Sequence, residues 1–302
     1  MINIFFVPGM FGSTIEFIIK NFSNEFSNDQ EDLNNYILED GSLHSYKKEF
    51  HPCTLDALKE ITSMSSTENR VNTPIYPTPD AKFNEILDVV VNDNFLLNKN
   101  VLIYSPDKSA SELNMFFQYY KIATGTKGHH NGMGVFFDGP NANANVVNWK
   151  KEYRTWQDME TWELREWFSM FYEAWLSQWI DSAQQAPDSF LKLPSTGMIN
   201  NPKKHMDTIF KHCNLTWNNK DIDNFLDIWY SKQNVIVNKF NECHSILNNI
   251  INNNDSTWKK LDFIQEAMLQ KRLYDCGYKI KCWELDEFPT STKQLYNLLE
   301  KV

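Results

Sequence analysis

The chain has 302 residues, a formal net charge of −10, 42% hydrophobic residues and 14% aromatic residues. This composition is typical of a globular protein with a large core, and the acidic charge argues against nucleic acid as a partner. Because neither an internal repeat nor a low-complexity linker divides the chain, we expect a single domain over residues 1–302.

The cysteines and the apolar runs indicate a compartment. Five cysteines lie at scattered positions without a C-x-x-C pair, which favours free thiols in a reducing environment. No apolar run approaches membrane-spanning length, and residues 2–7 are too short and lack the basic flank of a signal peptide. We therefore expect a soluble, cytoplasmic protein without a membrane partner. No four-ligand spacing of His and Cys appears, so we expect no metal site.

The first twenty residues predict a buried strand, a glycine loop and a helix. Residues 2–7 are almost all apolar, and Pro8-Gly9 ends the strand. Backbone N–H groups at the start of the helix would lack helical partners, and the helix dipole would add positive potential. The loop is therefore predicted to bind a phosphate or sulfate group. Its residues are Pro8, Gly9, Met10, Phe11, Gly12, Ser13 and Thr14.

The helix after this loop has a clear apolar period. Ser13 or Thr14 is expected to cap its first turn. Apolar residues then recur every three or four positions, and they are predicted to face the core: Ile15, Ile18, Ile19 and Phe22.

The strand–loop–helix pattern recurs along the first 123 residues. Residues 71–76 and 100–105 are predicted to be strands, and helices are expected over 54–62, 80–90 and 108–123. Alternating strands and helices favour a parallel sheet with right-handed crossovers.

The second half is predicted to be largely helical. Residues 124–148 hold half of the glycines and are expected to be irregular, and residues 184–202 are expected to form a loop. Helices are expected over residues 157–181, 203–212, 221–249 and 256–272.

The chain ends with one more predicted strand and helix. Residues 278–283 are expected to join the main sheet, and Thr290 or Ser291 is expected to cap a last helix. The inward face of that helix is predicted to hold Leu295, Leu298 and Leu299. The predicted fold is thus α/β and three-layer: a mostly parallel sheet with a P-loop-like strand–loop–helix at its start and a helical elaboration over about 157–272.

The glycine loop suits three kinds of site to different degrees. A Walker A loop needs a Lys after its second glycine, but Gly12 is followed by Ser13 and Thr14. An α/β-hydrolase would use such a loop as an oxyanion hole, but no G-x-S-x-G elbow occurs in the chain. A hydrolase-like esterase is therefore a lesser alternative, and a phosphosulfate loop is the remaining interpretation.

Two segments carry a family resemblance. Pro-Gly-Met-Phe-Gly-Ser-Thr at residues 8–14 resembles the 5′-phosphosulfate loop of sulfotransferases. Residues 101–111, a strand running through Pro106 into a helix, resemble the element of that family that binds a 3′-phosphate. Segments 162–167, 229–233 and 277–283 are similar to sulfotransferase-like proteins of marine phages.

The resemblance implies a P-loop-type fold and a function. The co-substrate would be 3′-phosphoadenosine 5′-phosphosulfate (PAPS), and the acceptor would be a hydroxyl of a small molecule or glycan. Besides the loop, the residues implied in binding PAPS are Ser105, Lys108, Ser109 and Ser111. The implied catalytic base is His51 or Glu16, with His44, His129 and His130 as further candidates.

The chain departs from the family pattern at several points, among them the missing late Arg-Lys-Gly signature. The loop holds no Lys or Arg, and Tyr104 stands where the family places an Arg. The competing hypothesis is therefore a non-catalytic binding or interaction protein with a sulfotransferase fold. It predicts that a side chain such as Phe11 fills the loop.

Overall fold

A computed structural model describes most of the N-terminal strands and a long helical region. The described residues are 1–6, 9–26, 71–72, 87–88, 98–123, 182–252, 265, 269, 272–273, 276–280, 292–297 and 299–301. The predicted helices at 54–62 and 157–181 and the segment 124–148 lie outside them. So do several candidate site residues: Pro8, His44, His51, His129 and His130.

Four parallel strands form the central sheet of the described structure. They are β1 (Ile2–Phe5), β2 (Val71–Asn72), β3 (Lys99–Tyr104) and β4 (Leu191–Pro194), in the order β2-β1-β3-β4. Ile2 lies opposite both Val71 and Lys99, and Val101 lies opposite Leu191. All of β1 and the interior of β3 are buried, as expected for mostly apolar strands of a parallel sheet. The predicted α/β class with a parallel sheet is confirmed.

Helices follow the strands and dominate residues 182–252. They are α1 (Gly12–Phe22), α2 (Lys108–Ala123), α3 (Ser182–Gln185), α4 (Thr196–Asn200), α5 (Pro202–Cys213), α6 (Ile222–Ile251) and α7 (Thr292–Asn297). The helices predicted over 108–123, 203–212 and 221–249 are confirmed as α2, α5 and α6. Residues 87–88 are helical, inside the predicted helix 80–90.

Side-chain caps fix where α5 and α6 begin. The side chain of Asn201 accepts a hydrogen bond from the backbone N of Lys204, 3.1 Å away, and Pro202 occupies the first turn. The side chain of Asp221 accepts one from the backbone N of Asn224 at 3.0 Å. These are local signals, so the sequence places both starts within one or two residues.

The prediction of a loop over residues 184–202 is wrong. This segment holds the end of α3, the strand β4 and the helix α4. Its prolines mark boundaries rather than breaks, since Pro194 is the last residue of β4 and Pro202 the first of α5. β4 lies at one edge of the described sheet, where a proline does not cost a ladder hydrogen bond.

The prediction that the late strand joins the main sheet is also wrong. In the described structure β5 (Tyr278–Ile280) pairs antiparallel with β6 (Leu299–Lys301), with Tyr278 opposite Lys301. α7 ends at Asn297, so Leu299 lies in a strand and not on the predicted helix face.

The predicted capping of α1 is wrong, whereas its inward face is confirmed. Phe11 is the N-cap residue, with a left-handed backbone at φ 65° and no side-chain cap. The helix starts at Gly12, so Ser13 and Thr14 lie inside its first turn. The predicted inward face is fully buried at Ile15, Ile18, Ile19 and Phe22.

The opposite face of α1 is buried as well. Phe17 on that face is fully buried, and Phe225 of α6 stacks on it at 5.4 Å between ring centroids. A helix that is covered on both sides holds its loop rigidly, which matters for any site formed there.

Candidate functional site

The strand order places a crevice between β1 and β3. The chain passes from β1 to β2 on one side and from β3 to β4 on the other. In open parallel sheets such a switch point, outside the carboxyl ends of the strands, is where ligands bind. The two predicted binding segments, residues 9–14 after β1 and Ser105 after β3, both lie at this edge of the sheet.

Close packing holds the β1–α1 loop against α2. Gly9 has a φ of 90°, and a Cβ placed on it would overlap the backbone carbonyl oxygen of Asn114. A Cβ on Gly12 would overlap the ring of Phe6. Both glycines are therefore required by space, and Gly9 also by its backbone conformation.

The two large side chains of the loop point into the core. Met10 is fully buried and Phe11 is 5% exposed. The ring of Phe11 meets Phe117 of α2 edge-on at 5.0 Å and Trp229 of α6 edge-on at 5.5 Å. These aromatic contacts join α2 and α6 to the loop, and they direct the ring of Phe11 into the core.

Asn114 organises a buried polar cluster below the loop. Its Nδ2 donates to the Oγ of Ser105 at 2.8 Å and to the Oγ of Ser195 at 3.0 Å. The backbone N of Ser195 donates to the carbonyl oxygen of Tyr104 at 2.8 Å. The three side chains are at most 1% exposed. The cluster therefore ties the carboxyl ends of β3 and β4 to α2.

This polar cluster keeps unused hydrogen-bonding capacity. Both serines accept from Asn114, so each retains its hydroxyl hydrogen for another partner. Within the described residues, Oδ1 of Asn114 makes no hydrogen bond. Two hydroxyl donors and one amide acceptor thus lie at the carboxyl edge of the sheet, where the crevice lies.

The start of α2 places the other predicted residues. Lys108 and Ser109 are exposed, whereas Ser111 is buried and its Oγ has no partner in the described part of the chain. Asp107 caps the helix by accepting from the backbone N of Ala110 at 2.8 Å. An anion at this helix end would therefore lie beside a carboxylate.

Glu16, the predicted base within the described residues, is engaged in an ion pair. Its Oε1 lies 3.1 Å from Nζ of Lys20, one turn further along α1, and the two side chains are 3% and 8% exposed. The carboxylate is buried with its counter-charge. To act as a base, Glu16 would have to accept a proton while it is paired with Lys20.

His205 lies beyond the carboxyl end of β4 and was not predicted. It is 6% exposed in the first turn of α5, and its ring packs so closely on Gly197 that a Cβ there would overlap Nδ1. Burial lowers the pKa of His205 to about 4, so the ring is neutral near pH 7. Its Nε2 has no hydrogen-bond partner among the described residues.

Three residues of this edge escaped the sequence analysis: Asn114, Ser195 and His205. Asn114 follows Ser111 by three positions and shares its helix face, which is a usable signal. Ser195 follows the alternating segment Leu191–Pro194, which has the period of a strand. For His205 the sequence holds no signal, because its burial depends on the approach of Gly197.

Among the described residues, no cluster of three or more His, Cys, Asp or Glu side chains has the arrangement of a metal site. None of the helices within those ranges combines the length and the apolarity needed to cross a bilayer. Comparisons with protein-family models, with curated proteins and with solved structures find no match for this chain.

Proposed function

We propose that this chain is a three-layer, sulfotransferase-like protein with a P-loop-like start, which binds PAPS at the carboxyl ends of β1 and β3. The observation that carries the proposal is the meeting of two segments that the sequence analysis selected independently. The β1–α1 loop lies against α2 through Gly9 and Asn114, and through Phe11 and Phe117. Both segments border the switch point of the sheet.

The proposed reaction is sulfuryl transfer to a hydroxyl of a small molecule or glycan. The acceptor oxygen forms a bond to sulfur while the bond from sulfur to the 5′-phosphate oxygen breaks. Adenosine 3′,5′-bisphosphate leaves, and the acceptor proton passes to Glu16 or His51. Backbone N–H groups at the start of α1 would face the negative charge that develops on the leaving phosphate. Ser111 would offer its buried hydroxyl to the co-substrate.

A second candidate function is a non-catalytic binding or interaction protein with the same fold. The specific observation in its favour is the burial of Met10 and Phe11, whose side chains fill space inside the molecule. Asp107 also places a negative charge at the start of α2, and the loop holds no cation to offset it. Charged hydrogen bonds to a phosphate contribute about 1.5–3 kcal/mol each, so their absence would weaken nucleotide binding.

Calorimetry with adenosine 3′,5′-bisphosphate separates the two candidates. We expect saturable binding to the wild-type chain, weakened about fivefold in Ser111→Ala because one hydroxyl donor is lost. That change removes a buried hydroxyl without a partner in the described structure, so the fold should survive it. Ser231→Ala is the matched control, since the Ser231 hydroxyl donates to the carbonyl of Ile228 in its own helix.

The outcomes are distinct. No heat at millimolar ligand with a folded protein rejects PAPS binding and leaves the second candidate. Binding without sulfuryl transfer to any hydroxyl acceptor rejects the enzyme but keeps the nucleotide site. If Ser111→Ala and Ser231→Ala weaken nucleotide binding equally, the site lies away from Ser111.

A further inference from the structure

One guanidinium nitrogen joins three parts of the molecule. Arg272 is 4% exposed, and its Nη2 pairs with Oε2 of Glu112 on α2. The same Nη2 lies 2.8 Å from Nε2 of His244 on α6. The guanidinium carbon lies 4.8 Å from the ring centroid of Phe240, and the His244 ring meets that ring edge-on at 4.9 Å. Glu112, His244 and Arg272 thus form a compact group between α2 and α6.

The chemistry of this group determines the protonation state of His244. A guanidinium carries only N–H donors, so the nitrogen that it approaches must be an acceptor. The lone pair of Nε2 of His244 therefore accepts from Nη2 of Arg272, and the neutral ring carries its proton on Nδ1. A proton on Nε2 would remove the acceptor and place a second positive charge beside Arg272.

We propose that Glu112, His244 and Arg272 form a proton-sensitive latch, which holds α2 against α6 and loosens when His244 takes up a proton. The latch is independent of the function proposed above. It has a consequence for the carboxyl edge of the sheet, because α2 also carries Ser111 and Asn114. Acidification would then loosen the helix that supports the polar cluster around Asn114.

The electrostatic surroundings agree with this role. Burial lowers the pKa of His244, and the charge of Arg272 lowers it further. Glu112 neutralises Arg272 from α2, and Glu242 on α6 accepts a hydrogen bond from Gln265 at 2.8 Å. Within the described residues, Arg272 is the charge that acts on His244. Nε and Nη1 of Arg272 make no hydrogen bond among the described residues, so Nη2 makes the hydrogen bonds of Arg272 to α2 and α6.

Hydrogen exchange of α2, followed by mass spectrometry, tests the latch. In the wild-type chain, protection of residues 108–123 should fall at least about tenfold between about pH 7.5 and about pH 5, after correction for the intrinsic exchange rate. In His244→Gln the amide oxygen still accepts from Arg272 and does not titrate, so the acid-dependent loss of protection should be smaller than in the wild type. His212→Gln on α5 is the matched control: His212 also has a lowered pKa, but it lies outside the latch, so this variant should keep more of the acid-dependent loss in α2 than His244→Gln does.

Two results would overturn the latch: the same acid-dependent loss in His244→Gln as in the wild type, or no loss in the wild type. If His244→Gln does not fold, the latch is tested by NMR titration of His244 in the wild type and in Glu112→Gln. Removing the carboxylate leaves the charge of Arg272 unopposed, so the titration midpoint should move to lower pH. An unmoved midpoint rejects the coupling.

Discussion

Gly9 and Gly277 share a left-handed backbone but differ in their surroundings. Their φ angles are 90° and 83°. A Cβ on Gly9 would overlap the carbonyl of Asn114, whereas a Cβ on Gly277 would meet no atom of the described residues within 4 Å. A substitution at Gly277 therefore measures the energetic cost of the left-handed backbone without the cost of a steric overlap.

We expect Gly9→Ala to lower the free energy of unfolding by about 3 kcal/mol and Gly277→Ala by about 1 kcal/mol. The left-handed conformation costs both variants the same, and the overlap with the α2 backbone adds the rest. Urea unfolding of both variants measures the difference. Equal losses would show that the β1–α1 loop does not press on α2.

The buried pair of Glu16 and Lys20 makes α1 sensitive to the loss of either charge. Lys20→Met should cost about 3 kcal/mol, because the buried carboxylate of Glu16 then loses the positive charge of its ion pair. Replacing both residues, as in Glu16→Leu with Lys20→Met, should cost less than Lys20→Met alone. A double-mutant cycle by chemical unfolding measures this coupling, and additive losses would contradict it.

The same double variant separates structure from chemistry. If Glu16 is the base of the proposed reaction, the double variant regains stability but not sulfuryl transfer. Recovery of transfer together with stability would show that Glu16 serves only the fold.

At the level of elements, the sequence predicted what periodicity alone can specify. β1, β3, α2, α5 and α6 were found because continuous apolar runs and 3.6-residue spacing are local patterns. β4 was missed because four residues ending in Pro194 resemble a loop unless their position at a sheet edge is known. The cap of α1 was misplaced because Phe11 is held by Phe117 and Trp229, which the local sequence does not reveal.

Acid should destabilise the whole molecule through buried His205 and half-buried His212 and His244. Burial lowers the pKa of His205 to about 4, and the pKa values of His212 and His244 are also lowered, first by burial. The unfolded chain then binds protons at higher pH than the folded one. The stability contributed by these neutral rings is complete above about pH 6.5 and is lost as the pH falls.

For His205 alone the loss between pH 6.5 and about pH 4 is about 3 kcal/mol. Unfolding measured across this range in the wild type and in His205→Gln gives the contribution, because the carboxylates titrate alike in both. The variant should show a shallower pH dependence by that amount. Parallel curves would mean that His205 is already protonated in the folded chain or is not buried.

For the candidate site, as for the fold, the sequence indicates some residues and the tertiary structure adds others. The loop after β1 and the serines around α2 could be chosen from the sequence, because a strand, a glycine turn and a helix form a local motif. Ser195, 81 residues from Asn114, and His205 under Gly197 could not, since only the folded sheet brings them to one edge.

By itself, the sequence determined the α/β class, the main helices and the two strands that border the crevice, because burial leaves a periodic trace in each segment. The tertiary structure alone decided the strand order β2-β1-β3-β4, the separate pairing of β5 with β6 and the burial of Phe11. These depend on which distant segments meet, and long-range contacts depend on packing complementarity that no local pattern records.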